Sequence, residues 1–312
     1  MYTYSENLKM KTSLTRKTRS LPLKRTTGPW GPEKRLEFID FRLQWDGRLN
    51  RGDLMTHFGI SVPQASTDIG RYSEIAPNNI IYDRSERVYV ASADFSAAFA
   101  SSSVDCFLNE LLGTSTGTLA PESSYLGWLP SIALASAPVR AVSPSVWMAF
   151  LRAMRQGTSI NVLYQSMSRP QPRWRELTPH GVGHDGFRWH VRAFCHSRKA
   201  FRDFVIARVL EVKPGKNSEV TGESDVAWSK TVNLVLEPSR GLSESRRRVI
   251  ELDYGMLHGE VAFECRHAML YYVLQQLGLN RDGVLRPEVQ QISLKNADEV
   301  KSIMDGLAIN YD

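Results

Sequence analysis

The chain has 312 residues, 42% of them hydrophobic and 23% charged, which is enough for two or three domains each with its own core. That composition excludes a low-complexity chain, and no apolar run reaches the roughly 20 residues of a membrane-spanning helix. Cys106, Cys195 and Cys265 are scattered, which excludes a disulfide framework and paired-cysteine metal spacing and suits a reducing, cytoplasmic compartment.

The formal net charge of +6 is not spread evenly. Over residues 1–32, Lys9, Lys11, Arg16, Lys17, Arg19, Lys24 and Arg25 face Glu6 alone, so this segment holds the whole excess. It is Ser/Thr-rich and lacks the apolar stretch of a secretory signal; an organellar transit peptide has a similar composition. It reads as a flexible basic arm, either inert or adding phosphate contacts beside a DNA-binding domain.

Residues 33–91 have the layout of a winged helix-turn-helix. Leu36, Ile39 and Leu43, widened by Phe38, Phe41 and Trp45, make a first amphipathic helix. Arg51 to Phe58 is a second, ended by Gly59, the residue best suited to a left-handed cap. Ser61, Pro63 and Gln64 then open a third, with Ser as the cap, Gln64 completing a capping box and Pro where its missing N–H does no harm. This third helix runs to about Tyr72, with Val62, Ala65, Ile69 and Tyr72 inward and Gln64, Thr67, Asp68 and Arg71 outward. Residues 80–90 form a hairpin turning at Asp83–Glu86, the wing.

Short polar side chains and one arginine on the outer face suit DNA. Gln64 and Arg71 are placed to read bases, Ser61, Ser66 and Thr67 to meet phosphates or methyls, and Arg84 to reach from the wing. Net charge gives no support, because acids slightly outnumber bases across 33–91. Small three-helix domains of this spacing also mediate protein contacts.

Residues 92–157 read as a helical linker, with helices across Phe95–Leu112 and Ser145–Gln156 and a Gly/Ser/Thr/Pro-rich stretch at 113–122. Val146, Trp147, Phe150, Leu151 and Met154 are core or dimer contacts.

Residues 158–215 carry four strand-like pieces: 160–166, 175–181, 187–195 and 201–208. In the third, Trp189, Val191 and Ala193 share one face and His190 and Arg192 the other; in the fourth, Arg202, Phe204, Ile206 and Arg208 share a parity. A twisted or closed sheet brings His190, Arg192, Arg202 and Arg208 to one concave surface, a cationic pocket for an anionic ligand, with Tyr164 and Ser166 adding hydroxyls and His180 a ring nitrogen. His180, His184, His190 and His196 raise a metal site, but none shows zinc-type spacing, and His180 and His184 flank Gly181 and Gly183 in an expected turn. A phosphodiesterase built on His190, Arg192 and Arg208 lacks a nucleophile motif or carboxylate cluster. No enzyme activity, metal or cofactor is expected.

Residues 230–312 read as a small α/β domain: strands at 232–236, 259–264 and 291–294, helices at 243–252 and 266–277, the first carrying Arg246, Arg247 and Arg248.

Tyr164 and Ser166, Thr178-Pro179-His180, Trp189-His190-Val191 and Phe201-Arg202-Asp203-Phe204 with Arg208 together resemble the WYL domain. Of its name-giving Trp-Tyr-Leu triplet only the Trp is kept, with His190 at the Tyr position. Phe58-Gly59-Ile60-Ser61 with Gln64 to Ile69 and Tyr72 resembles the winged helix that precedes WYL domains in bacterial regulators, and 230–312 resembles the extension that follows them. The resemblance implies an α+β multidomain protein with a small Sm/SH3-like β-barrel at its centre and a C-terminal α/β dimerisation domain. It implies a homodimeric repressor of a BREX- or CBASS-type anti-phage operon, bound to an inverted-repeat operator in double-stranded DNA and controlled by a nucleotide or oligonucleotide. The competing expectation is an effector whose WYL sheet grips single-stranded nucleic acid without operator specificity.

Overall fold

The computed structural model describes residues 31–135, 138, 140–280, 286 and 289–307. Nearly all of the basic arm, and the last residues of the C-terminal domain, lie outside them. The chain divides into two compact units, residues 1–136 and 137–312, each described by itself.

In the first unit, α1 (Gly31–Asp46) buries Leu36, Phe38, Ile39, Phe41 and Leu43, as its periodicity predicts. A two-residue strand β1 (Arg48–Leu49) leads into α2 (Arg51–Phe58). Here Asn50 and Asp53 form a reciprocal capping box that the sequence reading passed over. Gly59 closes α2 at φ 65°, its N–H donating to Met55 O. The third helix, α3 (Val62–Ile75), is capped by Ser61 but runs one turn further than expected. Gln64 does not complete a box with Ser61: its side chain donates to Asp68 Oδ1 at 3.0 Å instead. Ala65, Ile69 and Tyr72 point inward, whereas Val62 is 49% exposed. The wing is β2 (Ile80–Asp83) against β3 (Val88–Ala91), and β1 adds a third strand on the far edge of β3.

Two carboxylates of the first unit are buried. Asp68, placed outward by its position, is gripped by Arg35 of α1 at 2.6 and 3.2 Å. Asp40 is fully buried and accepts from Tyr72 Oη and Ser102 Oγ, both at 2.6 Å, and from the backbone N–H groups of Ala98 and Phe99. A buried carboxylate is tolerable only with such a full set of donors. This one ties α1 to α3 and to the segment after the wing. Next comes α4 (Val104–Thr116), which continues through the first residues of the expected Gly/Ser/Thr linker and stacks Phe107 on Trp45.

The second unit opens with α5 (Pro144–Gln156), whose Val146, Phe150 and Ala153 pack on a five-stranded sheet. Burying Phe150 alone contributes about 2–3 kcal/mol. Its neighbour Leu151, expected as a core or dimer contact, is 52% exposed and so outside this core. The sheet comprises β4 (Thr158–Tyr164), β5 (Arg173–His184), β6 (Trp189–Cys195), β7 (Ala200–Val205) and β8 (Val209–Asn217), in the order β7-β6-β5-β4-β8. The hydrogen-bonded ladder ends at β7 and β8, and no closed barrel is found among the described residues.

Two irregularities reset the face parity. A bulge falls between Pro179 and Gly181, where a proline in a strand is expected to sit, so the turn anticipated around Gly181 is continuous strand. A 3-10 turn at Ile206–Arg208 breaks the run in which Arg202 and Arg208 shared a parity. Across β6 and β7, Arg192 pairs with Asp203 and Ala193 with Arg202, so Arg202 falls on the opposite sheet face from Arg192. Trp189, which shares a parity with the buried Val191 and Ala193, is 47% exposed.

The C-terminal part begins with a single turn, α6 (Val226–Ser229), then β9 (Thr231–Pro238), α7 (Glu244–Asp253), β10 (Val261–Arg266), α8 (Leu270–Gln276), β11 (Ile292–Leu294) and α9 (Ala297–Gly306). The sheet order is β10-β9-β11, all antiparallel. Leu234, Leu270, Leu274 and Val300 form one core and Leu236, Ile250 and Ile292 another. The turn α6 and helix α9 were not anticipated.

Candidate functional site

On α3 the residues expected to meet DNA are not equally available. Ser61, Thr67 and Arg71 are exposed, as is Arg84 at the wing turn. Thr67 Oγ1 donates to Pro63 O at 3.0 Å, leaving its methyl and lone pairs outward. Ser66 is half-buried and accepts from Arg51 Nε at 2.8 Å; the same guanidinium donates to Tyr89 Oη on the wing. Gln64 is half-buried with its amide tied to Asp68. The helix therefore offers Thr67 and Arg71 outward, while Ser66 and Gln64 brace it against α1, α2 and the wing.

In the second unit a cleft of about 990 Å³ is lined by strands β6 and β7 and by α6, α8 and α9. His190, Arg192, Arg202 and Arg208 all line it, joined by Arg188, Arg198 and Lys230, which the sequence reading missed; Asp203 is the one carboxylate in its wall among the described residues. Tyr164, Ser166 and His180 do not line it. Tyr164 is buried in the sheet core and its hydroxyl accepts from Val205 N at 3.2 Å. Burial pushes the phenol pKa up, and the Arg208 guanidinium hydrogen-bonded to it pulls the other way. Ser166 is buried beside Ser168.

The cations at the cleft are anchored by carboxylates that were not singled out from sequence. Arg192 is 9% exposed and donates to both oxygens of Asp225, at 2.7 and 3.1 Å, and to Asp203 at 3.3 Å. Asp225 caps α6, donating nothing and accepting also from His180 Nε2 and Trp228 N. Despite its burial, these donors hold its carboxyl down at about 2. Arg192, expected to meet an anionic ligand, thus reaches the cleft wall with its guanidinium already paired to two carboxylates. Asp203 in turn accepts from Tyr272 Oη of α8 at 3.2 Å, and burial raises its pKa.

His190 is 3% exposed, with Nε2 3.0 Å from Asp185 Oδ2 and its ring 4.6 Å from that of Tyr272. Burial lowers its pKa, favouring the neutral ring, and Nδ1 has no partner. Asp185, in the tight β5–β6 turn, also accepts from Phe187 N, Arg188 N and Arg188 Nε; against its burial, the His190 contact and these donors hold it well below the usual carboxylate range. An Asp-Gly turn was a usable signal for Asp185; nothing in the sequence connects Arg192 to Asp225, 33 residues away.

Close approach of the C-terminal part to β5 depends on missing side chains. A Cβ on Gly181 would lie 2.7 Å from the Trp228 ring, and one on Gly183 2.8 Å from Met269 Sδ. The four clustered histidines go to separate partners: His180 to Asp225, His184 onto Trp189, His190 to Asp185 and His196 to Thr178. Among the described residues no three His, Cys, Asp or Glu side chains are placed to hold a metal ion, and no helix is long and apolar enough to cross a membrane.

Comparison with known proteins matches three segments. Residues 31–113 match the BrxR transcriptional regulator winged helix-turn-helix domain, 145–214 the WYL domain, and 231–300 the BrxR C-terminal dimerization domain. The chain is 46% identical over 276 residues to the DNA-binding transcriptional repressor CapW of Pseudomonas aeruginosa, covering 88% of this chain and 92% of that one. It is 42% identical over 276 residues to CapW of Escherichia coli, with the same coverage, and 42% identical over 289 residues to CapW of Stenotrophomonas maltophilia, covering 89% and 95%. Proteasome accessory factor B/C of Arthrobacter aurescens aligns at 16% identity and a TM-score of 0.25, over 98% of this chain and 52% of that one, a likeness too loose to bear on fold or function. With its winged helix, WYL sheet and C-terminal domain in the same order and near-complete alignment to these repressors, the chain belongs to the CapW family of DNA-binding transcriptional repressors.

Proposed function

We propose that two copies of this chain form a cytoplasmic repressor dimer that reads an inverted-repeat operator with the two α3 faces. A two-fold protein matches a two-fold site, so half-site spacing follows from the dimer. The observation that carries this reading is α3 itself: capped at Ser61, seamed inward by Ala65, Ile69 and Tyr72, and open outward at Thr67 and Arg71. Ser61 sits at the helix N-terminus, where backbone N–H groups favour a phosphate, and Arg84 reaches a neighbouring backbone. Gln64 and Ser66 act by holding α3 in place as well as by touching DNA.

The ligand reading rests on the cleft. Arg198, Arg202, Arg208 and Lys230 on its wall, against one carboxylate, favour an anionic, nucleotide- or oligonucleotide-like molecule. Binding there would bias the dimer between DNA-competent and DNA-incompetent states to the extent that it prefers one of them. The gene under control is, by family resemblance, an anti-phage defence operon. The strand order β8-β4-β5-β6-β7, with the last strand beside the first, supports reading the WYL sheet as an opened relative of the Sm/SH3-like barrel.

The test is a gel shift with the gene's own upstream region at moderate salt. Operator binding that survives excess single strand, and weakens about tenfold or more in Arg71→Ala, supports the repressor. Equal binding to any single strand refutes it in favour of the effector reading.

A further inference from the structure

A second, smaller hollow of about 290 Å³ is lined by the β5–β6 turn, the start of β6 and the segment before α5. It shares Arg188 and Val205 with the cationic cleft, so the two hollows adjoin. Trp189 and His190 are successive residues of β6, and their side chains leave the sheet on opposite faces. His190 lines the cleft and Trp189 the second hollow.

Its wall is aromatic and basic. Phe187 is 71% and Trp189 47% exposed. His184 is exposed as well, its ring 4.5 Å from that of Trp189. The indole also meets Trp147 of α5 edge-on, at 6.0 Å. The turn is firmly set, because Asp185 accepts from the backbone N–H groups of Phe187 and Arg188. Arg140 and Arg188 are the arginines of the wall, and no Asp or Glu lines it among the described residues. Aromatic faces held on a fixed turn beside arginines suit nucleobases, which stack by their π-faces whatever their identity. A purely apolar partner would desolvate both arginines without supplying an anion, whereas a nucleic-acid strand brings a phosphate with every base.

We propose that this hollow is a nucleobase subsite adjoining the cleft, so that the ligand of the second unit is a short single strand of more than one nucleotide. Its phosphates lie in the cleft against Arg198, Arg202 and Lys230, and a neighbouring base stacks on Phe187 and Trp189. The inference rests on the reading of the cleft as an anion site. It adds the feature that separates an oligonucleotide from a mononucleotide, a place for a base outside the cationic wall.

The test is isothermal titration calorimetry of the full-length chain without operator DNA, at one fixed low salt concentration because phosphate contacts weaken steeply with salt. The probes are short oligodeoxycytidylates and abasic deoxyribose-phosphate strands of equal length, which carry the same charge with no base to stack. The base-bearing strand is expected to bind about tenfold or more tighter than the abasic one. Phe187→Ala and Trp189→Ala each cut that margin, Trp189→Phe keeps most of it, and Arg71→Ala in the first unit leaves it unchanged. Phe187 sits in an exposed turn, so unchanged thermal melting in Phe187→Ala separates lost stacking from lost folding. Arg198→Ala with Lys230→Ala weakens both probes alike. An oligocytidylate series differs only by the 2′-hydroxyl, and the tighter series names the strand as RNA or DNA. Equal affinity for base-bearing and abasic strands, or a margin that survives both alanine variants, overturns the proposal. If that happens while Arg198→Ala with Lys230→Ala still weakens binding, the anion reading of the cleft stands alone. If the margin depends on Phe187 and Trp189 but the cleft variant binds normally, the subsite stands and the cleft reading falls. No binding of either strand brings down both.

Discussion

Removing Asp225 probes the joint between the WYL sheet and the C-terminal part most directly. Asp225→Ala takes away four accepted hydrogen bonds at once: two from Arg192, one from His180 Nε2 and one from Trp228 N. It leaves Arg192, whose side chain is 10% exposed, with only Asp203 at 3.3 Å. Stranding a buried charge costs about 3–5 kcal/mol, and the surviving Asp203 contact places this case near 3 kcal/mol. The depressed pKa, which arises from the same contacts, leads to a figure of the same order. A fall from 3.8 to about 2 corresponds to about 2.5 kcal/mol of stability. Because the folded pKa is depressed, that contribution is present above about pH 4 and is lost as pH falls from there towards 2.

The assay is native-state hydrogen exchange on the full chain, reading amides of β6 and α6, since a two-unit protein need not unfold in one step. At neutral pH the variant should exchange about 100-fold faster there, with amides of α1 to α3 unchanged. Lowering wild type from pH 4 towards 2 should loosen the same amides once intrinsic rates are divided out. An acceleration below about fivefold, roughly 1 kcal/mol, refutes the assignment of Asp225 as the joint. Recovery in Arg192→Met with Asp225→Leu would locate the loss in the stranded charge.

Three further outcomes are expected. Gly181→Ala forces Trp228 off β5 and should destabilise the second unit by about 2 kcal/mol, read as a lower melting temperature with quicker exchange at α6. Asp40→Ala strands the donors of Tyr72, Ser102, Ala98 and Phe99 and should lower first-unit stability by about 3 kcal/mol in urea melts; Asp40→Asn, which keeps one acceptor oxygen, should lose less. Tyr164→Phe deprives Val205 N of its acceptor and should lose about 1–2 kcal/mol while leaving operator affinity unaltered, since Tyr164 sits in the sheet core.

Elements whose cause is local were legible. Gly59 ends α2 because only a residue free of Cβ adopts φ 65° at no cost, and Ser61 caps α3 with a side chain three residues from its target. The inner faces of α1 and α3 follow from apolar spacing within one helix. The cleft's cations were half legible. His190, Arg192, Arg202 and Arg208 were read from strand segments, whereas Arg188, Arg198 and Lys230 sit in turns and after α6, where strand parity says nothing.

What the sequence alone determined, then, is the order of domains, the Gly59 and Ser61 caps, most strands and helices, and the cations Arg192, Arg202 and Arg208 of the central strands. What only the tertiary structure decided is which charge answers which. Asp40, Asp68, Asp185 and Asp225 look like surface residues in a string of letters, because a carboxylate is buried only where distant donors converge on it. Arg192 meets Asp225, 33 residues further along, only because the tertiary fold brings the cap of α6 to β6, which no local pattern encodes.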